Sequence, residues 1–367
     1  MDRELWRHLG AVGFFGLRLP EEHPSGAGAG LGLPEAVLIF EEAGRALVPG
    51  PLLATHLAAG LVEGAATGEV IVTAMDGGPH GIPPEEEMEG SPSEGAVRAV
   101  RAMRVVRVGE AGEAEGAVRA GEAEGVVGVE GVAGADALVE HLSSADAVLV
   151  IGGTAVAVLL PDRITARPLR SVDPLTPLHR HEAAAGSRGV VRGGADSPGS
   201  RAAALASDGV PTQFGSPRCQ AAELRREAVL LTAAQQLGSA GRTVEAAVLH
   251  ARERRQFGQA IGAFQAIKHL CADMLVRAEL ARSAVYAAAV TGDGDDIAAA
   301  KLLADEAAVR NARDCLQVSG GMGFTWESEV HLHLKRAWLR AGQWLSESSA
   351  EEALAASLVE AEPAAGR

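Results

Sequence analysis

The chain has 367 residues, room for two or three domains at roughly 150 residues each and for a substantial core. Hydrophobic residues at 47% and charged residues at 22% are ordinary globular values, which argues against wholesale disorder and against a fibre. With 33 basic against 48 acidic side chains the formal net charge is -15, so the chain as a whole repels nucleic acid and anionic membrane surfaces.

Residues 1–68 carry apolar positions at helical spacing, Leu5, Trp6, Leu9 and Val12, then Val37, Leu38 and on to Leu47, and are expected to form a helical domain. Between them, Leu19-Pro20-Glu21-Glu22-His23 followed by Gly26, Gly28, Gly30 and Gly32 is loop chemistry. It lacks the preceding strand and the spacing of a GxGxxG nucleotide loop. Residues 69–211 hold short β-branched runs at 70–73, 126–129, 147–151 and 154–159, read as the strands of a middle β-domain. No aromatic residue occurs between Phe40 and Phe214. Within this part, 83–87 reads as an acidic loop, and 109–125 is a Glu/Ala/Gly tract in which Glu-Ala-Glu-Gly occurs twice, composition typical of a relaxed surface segment. Residues 212–367 contain four apolar-striped helical segments, 221–251, 264–291, 297–317 and 330–345, with a glycine and aspartate turn at 292–296. Four such helices pack naturally as a bundle. Helices, then strands, then helices make a segregated α+β architecture.

Cys219, Cys271 and Cys315 are odd in number and show no CxxC spacing, which fits a reducing compartment better than a disulfide framework or a zinc site. The opening Met1-Asp2-Arg3-Glu4 shows no apolar run of signal length, and no segment reaches the roughly 20 apolar residues of a membrane span, so a cytoplasmic protein is expected. His179-Arg180-His181-Glu182 resembles a metal cluster, but two histidines two apart share a face only on a strand, and Pro174 and Pro177 predict a turn. His331 and His333 fall on different faces of a helix and read as solvated or packed side chains. No metal site is expected, and no Gly-x-Ser-x-Gly elbow is present to make a hydrolase.

Two segments are more specific. Arg252 to Gly262, followed by Phe264 to His269, places clustered arginines at a helix end before a glycine turn and a new helix, an arrangement that can present guanidinium forks to a phosphate. The same cations equally favour the helix macrodipole. Leu316 to Glu327 carries Gly320, Gly321 and Gly323, which allow close backbone approach to a ligand, beside Gln317, which can donate and accept. On its own that pattern also fits a tight interhelical turn.

Together and in this order the two segments resemble the acyl-CoA dehydrogenase family, and the resemblance covers most of the chain. Trp6, Gly13, Leu19-Pro20-Glu21-Glu22 and Phe40 to Arg45 look like its N-terminal helical domain, and Arg170 to Pro174 looks like the exit of its β-domain. The resemblance implies a helical domain over 1–68, a β-domain over 69–211, degenerate here, and a four-helix bundle over 212–367. It implies FAD at a subunit interface, held across that interface by RxxFG and QxxGG motifs. Matched to this chain the cofactor-binding residues are Arg254, Phe257, Gln265, Gln317, Gly320 and Gly321. The implied reaction is α,β-dehydrogenation of an acyl-CoA thioester, with an electron-transfer flavoprotein or similar acceptor.

The pattern departs at the base. A general base has to stand within hydrogen-bond reach of the α-proton. The family's two glutamate positions fall on Trp344 and on Ala228, with Val229 where an arginine is expected. Glu347 and Glu227 lie nearby, and both read otherwise as solvated surface carboxylates. A one-residue shift on a helix turns Glu227 by about 100°. The β-domain has Thr73-Ala74-Met75-Asp76-Gly77-Gly78 where relatives carry a Thr-Glu-Pro stretch, and no tryptophan near the flavin ring. No catalytic residue is therefore assigned. The expectation is a chain that completes the FAD site of a second, acyl-CoA dehydrogenase-like subunit in a heterotetramer, as in heteromeric enzymes of actinobacterial steroid side-chain breakdown. The alternatives are a self-sufficient homo-oligomer with Glu347 as base, and a flavin-free acyl-CoA-binding scaffold.

Overall fold

The computed structural model describes residues 1–77, 137–152, 156–182 and 217–361. The expected acidic loop at 83–87, the tract at 109–125 and the strand at 126–129 lie outside these. The N-terminal part begins with α1 (Arg3–Ala11), whose N-cap Asp2 accepts from the amides of Glu4 and Leu5 at 2.9 and 3.1 Å. In α2 (Leu33–Arg45) the Glu35 carboxylate reaches back to accept from the Gly32 amide at 2.9 Å, and Pro34 occupies the first turn. The short α3 (Leu52–Leu57) is buried along its whole length. Trp6, Phe14, Phe15 and Phe40 form one aromatic cluster, with ring centroids 4.9 Å apart for Trp6 and Phe15 and 5.2 Å for Phe14 and Phe40.

The β-region consists of two small sheets. In the first, β1 (Val72–Asp76) lies parallel to β3 (Ala147–Ile151), Val72 opposite Ala147, and β3 pairs antiparallel with β4 (Val156–Leu159). All five residues of the central strand are buried, which is why it reads as an unbroken apolar run. In the second sheet β2 (Leu138–Glu140), β6 (Leu178–His181) and β5 (Ala166–Leu169) are antiparallel in the order β2-β6-β5. The expected turn at His179 to Glu182 is thus a strand. The turn lies just before it, where the buried Asp173 carboxylate accepts from the Leu175 amide at 3.0 Å and from the Thr176 hydroxyl at 2.7 Å. Met75, Val139, Leu142, Val148, Val150 and Ile164 form a small satellite core among these strands.

The C-terminal part is α4 (Pro217–Glu253), α5 (Gln265–Thr291), α6 (Gly294–Ser319), α7 (Val330–Ala341) and α8 (Glu347–Ala361). The fourth expected segment, 330–345, ends at Ala341 with Gly342 as its cap, and α8 is an additional helix. Central α4 is buried on every side over 228–240, its polar Thr232, Gln235, Gln236 and Ser239 included, as suits a helix surrounded by others. It meets α2 at near-backbone contact: a Cβ on Gly44 would stand 2.1 Å from the Gln235 carbonyl oxygen, and one on Gly238 would stand 1.9 Å from that of Glu41. The principal core joins these helices to β1 and β3. Among the described residues no helix is long and apolar enough to cross a membrane.

Candidate functional site

The first candidate lies at one end of the bundle. A tight turn at Gly292 and Asp293 reverses α5 into α6, and Asp293 caps α6 by accepting from the amides of Asp295 and Asp296. The N-terminus of α5 and the C-termini of α4 and α6 therefore share an end. Between α4 and α5 sits a two-stranded hairpin, β7 (Arg255–Gln256) and β8 (Gln259–Ala260), turned by Phe257 at φ 50° and Gly258 at φ 80°. Two consecutive positive φ values are what a type I′ hairpin needs, and a phenylalanine in the first of them is strained. The residue is 91% exposed, and among the described residues its one ring contact is edge-on with Phe264 at 6.1 Å.

All six residues expected to hold the flavin are brought to this end. Arg254, Phe257 and Gln265 are exposed, as are Gln317, Gly320 and Gly321. Gly320 adopts φ 60° and ψ -144°, a conformation open essentially to glycine alone. A Cβ on Gly258, Gly320 or Gly321 would meet nothing within 4 Å, so the backbone there is open to a ligand or another chain. Among the described residues the Arg254 guanidinium has no ion-pair partner. Met322, Phe324 and Trp326, which follow Gly321 in the chain, are exposed, and so are Leu275, Val276 and Leu280 along α5. These donors, glycines and apolar side chains fit the ADP portion of a dinucleotide presented from outside the chain.

The second candidate is a cavity of about 770 Å³ between α3, the strands and α7, lined among others by Leu52, Leu53, Asp76, Leu138, Glu140, Gln235, Arg336, Trp338, Arg340 and Trp344. Arg336 forms a buried ion pair with Asp173, 163 positions away, and donates to the Val48 carbonyl at 3.4 Å. Burial alone would raise Asp173, but the Arg336 charge and the bonds from Thr176 and Leu175 bring it below the usual carboxylate range. Arg225 grips Asp76 at 2.8 Å and the Ile151 carbonyl at 3.1 Å, tying α4 to the first sheet. Glu140 accepts from the Gln343 side chain, and burial pushes its carboxyl up despite Arg336 and Arg340 nearby. Burial, with the Arg336 charge beside it, lowers Arg340 to about 9.

The positions where a base was sought are also placed. Trp344 is on the cavity wall in the left-handed region at φ 64°. Glu347 is exposed in the first turn of α8 and is not among the cavity's lining residues. Glu227, expected to be solvated, is instead partly buried: it pairs with Arg18 and meets His56 Nε2 at 3.1 Å. Burial would raise its carboxyl, but the His56 bond and the Arg18 pair hold it below its ordinary range. Ala228 and Val229 are buried in the core. His331 and His333 are both buried, the latter bonded to the Ser239 hydroxyl at 2.8 Å. Among the described residues no group of three His, Cys, Asp or Glu is arranged to hold a metal ion. Glu140, Arg336 and Arg340 were missed in the sequence. The available signal was the two arginines four apart on a helix, which places them on one face.

Known proteins bear directly on these two regions. Residues 1–70 match the acyl-CoA dehydrogenase N-terminal domain and residues 221–342 the acyl-CoA dehydrogenase C-terminal domain. The chain belongs to the acyl-CoA dehydrogenase family. It is 30% identical over 384 residues to acyl-CoA dehydrogenase FadE34 of Mycobacterium tuberculosis, covering 98% of this chain but only 44% of that relative's length. Among solved structures it resembles the ChsE4-ChsE5 complex from Mycobacterium tuberculosis, with TM-score 0.67, 22% identity, and 99% of this chain and 90% of that one covered. It also resembles the Tcur3481-Tcur3483 steroid ACAD, with TM-score 0.66, 21% identity and coverage of 98% and 89%. At these identities the structures share the fold. Acyl-CoA dehydrogenases generally bind FAD, and both segments expected to hold it lie within the matched C-terminal domain.

Proposed function

We propose that this chain is one subunit of a heteromeric FAD-dependent acyl-CoA dehydrogenase, that it completes the FAD site of a second, acyl-CoA dehydrogenase-like subunit, and that it supplies no catalytic base itself. One observation carries the reading: every flavin-motif residue faces outward from one end of the bundle, while the family's base position is filled by Trp344. Arg254 would pair with a phosphate oxygen, Gln317 would hydrogen-bond the ADP portion, and Gly320 and Gly321 would let the backbone approach it. Bound flavin would accept the hydride leaving the acyl β-carbon. The exposed apolar side chains of Phe257, Phe324, Trp326, Leu275, Val276 and Leu280 suit burial against another subunit. Similarity to the ChsE4-ChsE5 complex supports a pair of family chains, and similarity to a steroid ACAD favours a bulky acyl-CoA substrate, steroid side chains included. Electrons would then leave to an electron-transfer flavoprotein or a similar acceptor, in the cytoplasm.

The test is the flavin-to-protein ratio of the chain purified alone and after co-expression with an acyl-CoA dehydrogenase-like partner. The expected result is a colourless chain alone and about one FAD per pair in the complex. Arg254→Ala should reduce flavin retention by the complex, because a charge-assisted phosphate contact is lost. A yellow chain alone, with about one FAD per subunit, overturns the reading. Glu140 favours a second reading, since it is a cavity carboxylate with a raised pKa. In a self-sufficient enzyme it would be the base in place of Glu347, and Glu140→Gln would abolish acyl-CoA oxidation by the chain alone.

A further inference from the structure

Two thiols far apart in the chain meet across the seam between α5 and α6. The two helices run antiparallel, and Asn311 fixes their register at one level: its side-chain amide donates to the Met274 carbonyl at 2.9 Å, and its side-chain oxygen accepts from Arg277 Nε at 2.8 Å. One turn from that level, toward the end that carries the segments expected to hold flavin, is three residues back on α5 and four residues forward on α6. Those steps arrive at Cys271 and Cys315. Both point inward. Cys271 continues the buried spacing of Met274, Ala278 and Ala281, and Cys315 continues that of Ala304, Ala308 and Asn311. Cys271 is half-buried against the principal core, Cys315 lies wholly within it, both thiols are free, and Cys315 has Cys271 as an electrostatic neighbour. Alanines on both faces of a seam put helix axes at the short end of the usual range, about 8 Å, with Cα atoms about 2.3 Å from each axis. Facing Cα atoms then come within the roughly 6.8 Å that a disulfide can span.

We infer that Cys271 and Cys315 form an oxidation site that closes into a disulfide under hydrogen peroxide and so ties α5 to α6, one sulfur in the second turn after Gln265 and the other two residues before Gln317. Half-buried Cys271 reacts first. Its thiol loses a proton, the sulfur attacks the peroxide O–O bond, and a sulfenic acid and one water result. The Cys315 sulfur then attacks the sulfenic sulfur, the S–S bond forms, and the displaced hydroxyl leaves with the Cys315 proton as a second water. Two electrons pass from the thiols to the peroxide. Burial, with Asp314 beside it, pushes the Cys271 thiol up, and burial takes Cys315 to about 11. The thiolate is the nucleophile, so the first step is slow and the pair stays reduced until oxidant persists. The bond does not depend on whether the chain completes a partner's flavin site.

The full chain, in the form in which it purifies, is held in millimolar hydrogen peroxide, the oxidant is removed with catalase, and thiols are counted in denaturant. The expected count falls from three to one, with Cys219 remaining. The intact mass falls by two hydrogen atoms, and digestion yields one linked peptide containing Cys271 and Cys315 that dithiothreitol separates. Oxidation should raise the thermal midpoint of the wild-type chain and of Cys219→Ser by about 5 °C, because closing so long a loop restricts the unfolded chain. The midpoint of Cys271→Ser should not rise. Three thiols retained, oxygen added at Cys271 without a bond, a bond that includes Cys219, chains linked to one another, or the same midpoint shift in Cys271→Ser would each overturn the proposal. If Cys271→Ser does not fold, the wild-type thiol count and linked peptide still decide. Flavin content is read separately from visible absorbance in the same samples, so a failure of the subunit reading and a failure of this one remain distinct.

Discussion

Gly238 lies where α4 crosses α2, and Gly238→Ala tests how much of the fold depends on that close approach. A Cβ there would stand 1.9 Å from the Glu41 carbonyl oxygen and 2.8 Å from the Arg45 amide, well inside the 3.4 Å of ordinary contact. The obstacle is backbone on the facing helix, so relief requires the two helices to part by about 1 Å or more. A gap of that size forfeits a quarter to a half of the dispersion energy of each contact along the seam. Overpacking typically costs about 1–3 kcal/mol, and the rigid obstacle places this case at the upper end. Against it stands the gain of about 1 kcal/mol from replacing glycine by alanine inside a helix. The net expectation is about 2 kcal/mol of destabilisation. Gly241→Ala, one turn along the same helix, is the control, because its Cβ would meet only the end of Arg282 at 3.8 Å. There the propensity gain should stand alone, as stabilisation by up to about 1 kcal/mol. Urea midpoints at constant m value measure both. If the two variants move together, or Gly238→Ala unfolds no earlier than wild type, the seam does not hold the helices as argued. Gln235, whose backbone meets Gly44 in the same seam, also lines the cavity.

Further outcomes follow from the buried polar groups. Thr55 ties α3 to β1 by accepting from the Val72 amide at 3.1 Å and donating to its carbonyl at 2.9 Å, so Thr55→Val should cost about 1–3 kcal/mol in a urea midpoint. Removing Arg336 alone leaves Asp173 buried and unpaired and should cost about 3–5 kcal/mol, whereas Arg336→Met combined with Asp173→Asn should recover a large part of it, read as a double-mutant cycle. The lowered Asp173 carboxyl contributes stability above its ordinary range that is lost as pH falls through its folded value. Burial holds His141 and His333 at about 4, so on acidification the unfolded chain takes up protons first. Stability should fall between the ordinary value near 6.5 and about pH 4, by about 1.4 kcal/mol per pH unit for each histidine. His333→Gln should remove about half of that slope in midpoints measured at pH 7 and pH 5, and an unchanged slope would show that His333 is not held neutral.

Helices with long apolar stripes and clear ends were legible from the residues alone. The segments read at 264–291 and 297–317 became α5 and α6, because a glycine and aspartate turn ends one and caps the next. The helix over 347–361 was not legible, since its Glu/Ala/Ser composition leaves few apolar positions to mark a stripe. The strand at Leu178 to His181 was missed for the converse reason: two histidines and an arginine conceal a short strand whose identity comes from pairing with β2 and β5. The two segments expected to hold flavin could be singled out because glycine and arginine carry their chemistry in their identity. The cavity was not, because it is assembled from residues far apart in the chain, such as Glu140 and Arg336, and only burial distinguishes Arg340 from a surface arginine.

Among the described residues four non-glycine side chains, Leu47, His141, Phe257 and Trp344, occupy the left-handed region, and the last two make opposite cases. Phe257 does so on an exposed hairpin, and Trp344 does so against the cavity. Strain of this kind, on the order of 1–3 kcal/mol, persists where surroundings over-determine the conformation. For Trp344 those surroundings belong to its own chain, in the short turn between α7 and α8. For Phe257 the chain supplies the hairpin and one edge contact with Phe264, and leaves the ring almost wholly in solvent. A strained, exposed aromatic gains little within the monomer and gains substantially once its ring is buried against another surface. On that argument the hairpin is shaped for a neighbour, which is why the flavin ratio of the chain alone against that of the complex is the measurement that tests its role.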